Sequence, residues 1–442
     1  MFKRKLYDEL LEWKRTSAGA TAALVEGPRR VGKSTLAEQF AKTEYRSYLF
    51  IDFLSAPRSM RELFEDISDL EYLFTQLQFQ TGTRLYPRES LVVFDEVQLC
   101  PQARQAIKYL VKDGRYDYLE TGSLISIRQN TAGITIPSEE RKFQLHPMDF
   151  EEFRWAQGDE TTVPLLQSAF EHRTRLGDAT NRKLMRDYRL YMLVGGMPQA
   201  VEEYLGSHNL QATDAVKRDI VSLYEEDFVK LDPTGALSAL FDAIPAQLSN
   251  GASRYHVSSI LANSRASNQL ERIAQLVDSK AVLAAYHASD PNVGLSAAYD
   301  LSKFKLYLCD TGLFVTLAFK DSAFTSNDLY AGLLSDKVPA NMGYVYEQAV
   351  AQVLASKGDR LFYHTWQNPV AKRNYEIDFM VTRGRKIDPI EVKSSKRQRH
   401  TSLDLFCSKY SARIGTPYLV SVTDQHKEGQ IRAIPTYMAQ FL

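Results

Sequence analysis

Cysteine is scarce. Three residues in 442, Cys100, Cys309 and Cys407, lie far apart and form no CxxC pair. That excludes a disulfide framework and a zinc ribbon, and the cysteines read as free thiols of a reducing compartment. Net charge is absent too, with 54 Lys and Arg against 54 Asp and Glu. Bulk basicity therefore advertises no nucleic-acid partner, and such binding has to rest on local patches. Nowhere does the chain run for the ~18 uncharged apolar residues of a membrane span. The opening "MFKRKLYDELLEWKRTSAG" mixes acids and bases and lacks the apolar core of a signal peptide. No membrane partner is expected, and the chain reads as soluble and cytoplasmic. No internal repeat or low-complexity tract interrupts it.

What is present suffices for ordinary cores: 44% of residues are hydrophobic, and the length suits about two to four domains. Over residues 1–160, buried runs ("AALVEG", "YLFIDF", "LVVFDEVQ", "YDYLETGS", "FQLHPM") alternate with amphipathic stretches such as "ARQAIKYLVKDG". This predicts an α/β domain with a parallel, doubly wound sheet. Residues 161–232 read as a helical linker or lid, interrupted by "GGMP" at Gly195–Pro198. In 233–325 three short helical patterns and the strands "AVLAAYH" and "KFKLYLCD" suggest a winged helix. "DSAFTSNDLYAGLLSDKVPAN" reads as a mobile linker. Residues 335–442 hold a helix followed by strands, a second α/β domain.

"GPRRVGKST" (Gly27, Pro28, Arg29, Arg30, Val31, Gly32, Lys33, Ser34, Thr35) fits G-x-x-x-x-G-K-[ST] between a strand and a helix. Its glycines let backbone N–H groups close around phosphate at a helix N-terminus. Lys33 is expected on the β- and γ-phosphates, and Ser34 on Mg²⁺. Downstream, "LVVFDE" ends a strand in Asp95, expected in the Mg²⁺ shell, and Glu96, expected to orient or deprotonate water. Together these predict binding of ATP with Mg²⁺. Thr121 or Ser123 in "YLETGS" is a candidate polar sensor, the alternative being a plain strand-end turn. Arg104, Arg115, Arg128 and Arg141 are candidates for transition-state charge, and the sequence does not choose among them.

The stretches "RKLYDELLEWK", "EGPRRVGKSTL", "FDEVQ", "TGSLIS", "LHPMDFEEFRWA", "GGMPQAV", "FKLYLCDTGLF" and "YEQAVAQVL…EIDFMV…PIEVKSS" occur in this order from residue 4 to 395. In them the chain resembles the AAA-type ATP-binding proteins that carry a C-terminal domain named DUF4143. The resemblance implies ATP binding, a central winged-helix region and a C-terminal fold similar to restriction endonucleases. It supplies no settled biological role and no arginine finger.

In that C-terminal stretch, Asp378 and the E-x-K of Glu391 and Lys393 fit the PD-(D/E)-x-K pattern, with Ile377 where a proline would stand. Glu347 on the preceding helix occupies the place of a completing acid. Alternation puts Glu391 and Lys393 on one strand face. Asp378 and Glu391 are expected to share Mg²⁺, with Lys393 steadying the phosphate. Glu376 is assigned a structural role, pointing away from Asp378. The bland alternative is a strand pair ending in solvated charges. "KSSKRQRH" is a candidate contact to a DNA or RNA backbone, although such runs are usually solvated helix starts. The proposed recognition helix "NQLERIAQLVDS" is poor in Arg and Lys, which weakens base reading. His256, His287 and His364 show no metal spacing. Three functions follow: an ATP-driven nuclease, a nucleotide-controlled switch with an inert nuclease-fold platform, or a homo-oligomeric ATPase acting on proteins.

Overall fold

The computed structural model describes residues 1–122, 137–261, 266–292, 294–321, 327–335, 343–367, 374–395 and 399–442. They form two compact units, Met1–His146 with Asp278–Lys280, and Pro147–Val277 with Ala281–Leu442.

The first unit runs α1 (Lys5–Ser17), β1 (Ala22–Glu26), α2 (Lys33–Glu44), β2 (Ser47–Asp52), α3 (Arg58–Glu62), α4 (Leu70–Thr81), β3 (Ser90–Asp95), α5 (Pro101–Asp113), β4 (Asp117–Gly122) and β5 (Glu140–Gln144). The strands pair in parallel in the order β2-β3-β4-β1-β5. Both faces are covered, which is why the strands read as continuous apolar runs. On β3, Val92 and Phe94 join one core layer with Phe53, Ile107 and Tyr118. Leu91 and Val93 join the opposite layer with Leu10, Trp13, Phe40 and Leu119. In α1, Leu6, Leu10 and Trp13 recur at helical spacing and form its buried stripe. Strand order reverses direction around β1, so the carboxyl ends of β1, β4 and β3 line one edge. That is where open α/β sheets place ligands.

The second unit is helical up to Val277 and then carries an eight-stranded mixed sheet. Its strands are β6 (Val282–Ala288), β7 (Tyr299–Leu308), β8 (Phe362–Gln367), β9 (Asn374–Arg383), β10 (Lys386–Val392), β11 (Tyr418–Ser421), β12 (His426–Glu428) and β13 (Ile431–Pro435). They lie in the order β12-β13-β11-β10-β9-β8-β6-β7. The strands expected as a free wing, β6 and β7, do pair antiparallel, but β6 also runs parallel to β8. They therefore complete the C-terminal sheet. The physical reason is burial: the last five residues of β7, Phe304–Leu308, are buried on both faces, whereas a wing keeps a solvated face. The stretch expected as a mobile linker holds the helix Asn327–Leu334. Its Tyr330 is buried and donates to Asp214 at 2.9 Å. All three cysteines are buried free thiols.

"GGMP" and "CDTGLF" prove to be one packing device. Gly195, at φ +84°, ends the helix Asp178–Val194, and a Cβ there would sit 2.4 Å from Asp310 Oδ1. The Gly196 N–H donates to Asp310 Oδ2 at 2.6 Å. Buried Lys217 donates to the carbonyls of Leu193 (2.6 Å) and Gly312 (3.3 Å). A Cβ on Gly196 would meet the Met148 carbonyl at 2.0 Å, against backbone that cannot step aside. Gly196→Ala is therefore expected to cost about 3 kcal/mol, the upper range for overpacking. A lowered denaturation midpoint of this unit would register it.

Candidate nucleotide site and carboxylate cluster

After β1 the chain turns through residues 27–32 into α2. Gly27 has no room for a side chain, since its Cβ would lie 2.3 Å from the Leu145 carbonyl. Arg30 (φ 66°) and Gly32 (φ 96°) are left-handed, which bends the loop over the N-terminus of α2. Free N–H groups and the helix dipole make such a terminus favourable for anions. Lys33 is buried, and its ammonium donates to the carbonyls of Gly27 (3.1 Å) and Pro28 (3.0 Å). Burial pulls its pKa down, while Glu96 and Asp95 push it back up.

The acids at the end of β3 meet this loop. Ser34 Oγ donates to Asp95 Oδ1 at 2.8 Å, and the Thr121 hydroxyl donates to the same oxygen. Burial raises the Asp95 pKa, against the two hydroxyls that stabilise its charged form. Glu96 takes the left-handed region (φ 52°, ψ 48°), which costs a residue with a side chain about 1–3 kcal/mol. Its N–H donates to Thr121 Oγ1 at 3.3 Å, and its carboxylate accepts from Gln98 Nε2. The structure thus brings Lys33, Ser34, Asp95, Glu96 and Thr121 together. Ser123 lies outside the described residues. Ser34 Oγ and the Asp95 carboxylate are adjacent hard oxygen donors, a set that suits Mg²⁺.

The arginine candidates fare differently. Arg104 is 1% exposed and grips Glu140 with both ends of its fork, Nε–Oε1 2.9 Å and Nη2–Oε2 2.8 Å. Arg115 pairs with Asp113 (2.7 Å) and Glu71 (2.5 Å) on the surface. Arg141 lies 5.2 Å over the Phe143 ring, and Arg128 is outside the described residues. The sequence reading missed the acids around Arg104. Glu120 on β4 is fully buried, neither of its oxygens has a hydrogen-bond partner, and burial holds its pKa well above the usual range. The available signal was an acid inside the apolar run "YDYLET".

In the second unit, β9 and β10 form a hairpin paired up to Phe379–Ile390, so Asp378 and Glu391 come next on the two strands. The Val392 N–H donates to Asp378 Oδ2 at 2.7 Å. Lys393, just past β10, reaches back to Glu391 Oε1 at 2.5 Å, as shared-face alternation requires. Glu391 is buried, and its Oε2 has no hydrogen-bond partner. Carboxylate oxygens of Glu347, Glu376 and Asp378 lie within 4.8 Å of one another. The expectation that Glu376 points away from Asp378 in a structural role is thus overturned. Residues two apart on a strand share a face, and Glu376 stands beside Asp378. Burial, then the charges of Glu391 and Glu347, raise the Asp378 pKa well above the carboxylate range.

Two further residues, unforeseen from sequence, enter from β7. Lys305, 5% exposed, bonds Glu347 Oε1 at 3.0 Å and also Glu376 Oε1. Tyr307 donates to Glu347 Oε1 at 2.5 Å. The histidines play no part in this cluster. His287 and His364 stack at 5.6 Å, and burial brings His364 down to about 4. Of the basic run, Lys396–Gln398 lie outside the described residues, and His400 pairs with Asp404 (2.8 Å) and Glu428 (3.3 Å).

A parallel five-stranded sheet with this loop at its switch edge defines a P-loop AAA-type fold. Residues 20–154 match the family model of an AAA domain, 185–323 that of a domain of unknown function (DUF8612), and 342–438 that of a domain of unknown function (DUF4143). The chain is an AAA-type protein with a C-terminal DUF4143 domain, as its motifs suggested, and its first unit is a nucleotide-binding ATPase domain in kind. No curated protein matches the chain. Among solved structures, it is similar to C. elegans PCH-2, at 12% identity over 38% of this chain and 46% of that one, with a TM-score of 0.22. It is also similar to a signal-transduction ATPase (STAND) with a tetratricopeptide-repeat sensor from Pyrococcus horikoshii, at 12% identity over 80% and 48%, with a TM-score of 0.28. Drosophila ORC bound to DNA follows, at 14% identity over 66% and 89%, with a TM-score of 0.28. The chain spans about half the length of the first two. At such TM-scores none of the three bears on function. Among the described residues no helix is long and apolar enough to cross a membrane.

Proposed function

We propose that the chain hydrolyses ATP with Mg²⁺ at the loop of residues 27–35 and thereby governs a metal-dependent nuclease site in its second unit. The observation that carries the ATPase half is the contact of Ser34 Oγ with Asp95 at 2.8 Å beside Glu96. Lys33 turns from its own loop carbonyls to the phosphate oxygens. Glu96 orients the attacking water and takes its proton. Ser34 and Asp95 hold Mg²⁺, which supplies neutralisation of the phosphate charge. Thr121 fixes the Asp95 carboxylate and, through the Glu96 N–H, the backbone of the base. Titration with Mg-ATP tests this: Lys33→Ala is expected to weaken binding by about 10²-fold, the loss of one buried, charge-assisted phosphate contact. Unchanged affinity contradicts it.

The nuclease half is supported by the order helix Gly343–Ser356, β8, β9, β10, helix Thr401–Lys409, β11, which fits a restriction-endonuclease-like core, and by the gathered acids. Glu347, Glu376, Asp378 and Glu391 are hard oxygen donors suited to a divalent cation. Lys393 would then steady the phosphate of a DNA or RNA backbone. One observation favours a second reading, an inert platform switched by nucleotide: Lys305 already bridges Glu347 and Glu376. Because Arg104 and Arg115 are paired within their own chain, an arginine from a neighbouring copy fits the oligomeric variant. ATPase activity per molecule would then rise with protein concentration.

A further inference from the structure

Lys305 comes from the stretch that matches one domain model (185–323), and the four carboxylates come from the stretch that matches another (342–438). Its stem is buried, and its ammonium sits between Glu347 and Glu376, where an ion shared by these two acids would stand. Tyr307 donates to the same Glu347 oxygen. Glu347 Oε1 and Glu376 Oε1 are therefore satisfied without any added ion. One buried oxygen is not: Glu391 Oε2 has no hydrogen-bond partner, while the neighbouring Asp378 accepts from Val392 through Oδ2. If ionised, four carboxylates against Lys305 and Lys393 would leave two formal negative charges, the charge of one divalent cation. Such an excess in a low-dielectric pocket is met by protons or by a cation, and one divalent ion supplies both charges at once.

We propose that Lys305 is a built-in counter-cation that limits the carboxylate cluster to one divalent ion, held on the Asp378 and Glu391 side. This rests on the metal-site reading above and goes beyond it. The cluster is complete only when β7 is present, so the 342–438 stretch alone lacks its full charge balance. Lys305 is a positioning residue, since it orients Glu347 and Glu376 and bars a second ion from them.

The test is Mn²⁺ binding by the full-length, nucleotide-free chain, read from the loss of the free Mn²⁺ resonance. Ions in the cluster are counted as the difference between each protein and the same protein carrying both Asp378→Asn and Glu347→Gln. Wild type is expected to hold one such ion, Lys305→Met two, and Lys305→Arg one. Lys305→Gln, which keeps hydrogen-bond donors but not the charge, repeats the gain and covers the case in which the methionine variant does not fold. A wild-type ion with no gain in either neutral variant overturns the proposal but leaves the metal site standing. Loss of the ion in those variants also overturns it and makes Lys305 a support for the ligands. No ion in wild type or in the neutral variants defeats both the metal-site reading and the proposal.

Discussion

Glu96→Gln is expected to lower ATP turnover by about 10²–10⁴-fold, the range for losing a positioned general base, with nucleotide affinity near that of wild type. The separation of the two effects follows from geometry. The Glu96 carboxylate accepts a hydrogen bond from Gln98, whereas Lys33 bonds the loop carbonyls and Ser34 bonds Asp95. Glutamine keeps the shape and the bond from Gln98 but cannot take a proton. The backbone strain at Glu96 is unaffected by the change, so folding is preserved. Equal loss of affinity and turnover would instead make Glu96 part of the binding site. Single-turnover hydrolysis at saturating Mg-ATP separates these outcomes.

Arg104→Met is the second large effect, on stability. It leaves Glu140 and Glu120 buried with no counter-charge, and removing one partner of a buried pair costs about 3–5 kcal/mol. Denaturant unfolding of the first unit measures it. Turnover per folded molecule is expected to stay at the wild-type level, because the guanidinium is spent on Glu140. Intact stability with a turnover loss of about 10³-fold, the scale of an arginine finger, would restore Arg104 as a transition-state group.

What could be read from the sequence was local. The loop at Gly27–Thr35 and the acids after β3 follow from contiguous motifs. The sheet edge that joins them follows from buried runs alternating with helices. Glu391 and Lys393 were legible for the same reason, through period-2 alternation over three residues. The same rule, applied consistently, would have placed Glu376 beside Asp378. Lys305 was not legible, because it precedes Glu376 by 71 positions and reaches it only because β6 inserts parallel to β8. A strand pair in sequence order reads as a local hairpin, and here that suggested a wing. Arg104 and Glu140 are a second long-range pair, and surface and buried arginines look alike in sequence.

The most direct measurement is cleavage of single- and double-stranded DNA and RNA with Mg²⁺ or Mn²⁺, with and without ATP, by wild type, Asp378→Asn, Lys393→Ala and Lys33→Ala. The account predicts that wild type cuts, that both C-terminal variants lose cleavage while staying folded, and that Lys33→Ala loses its response to ATP. A folded wild-type protein that binds ATP and leaves every substrate intact would contradict it.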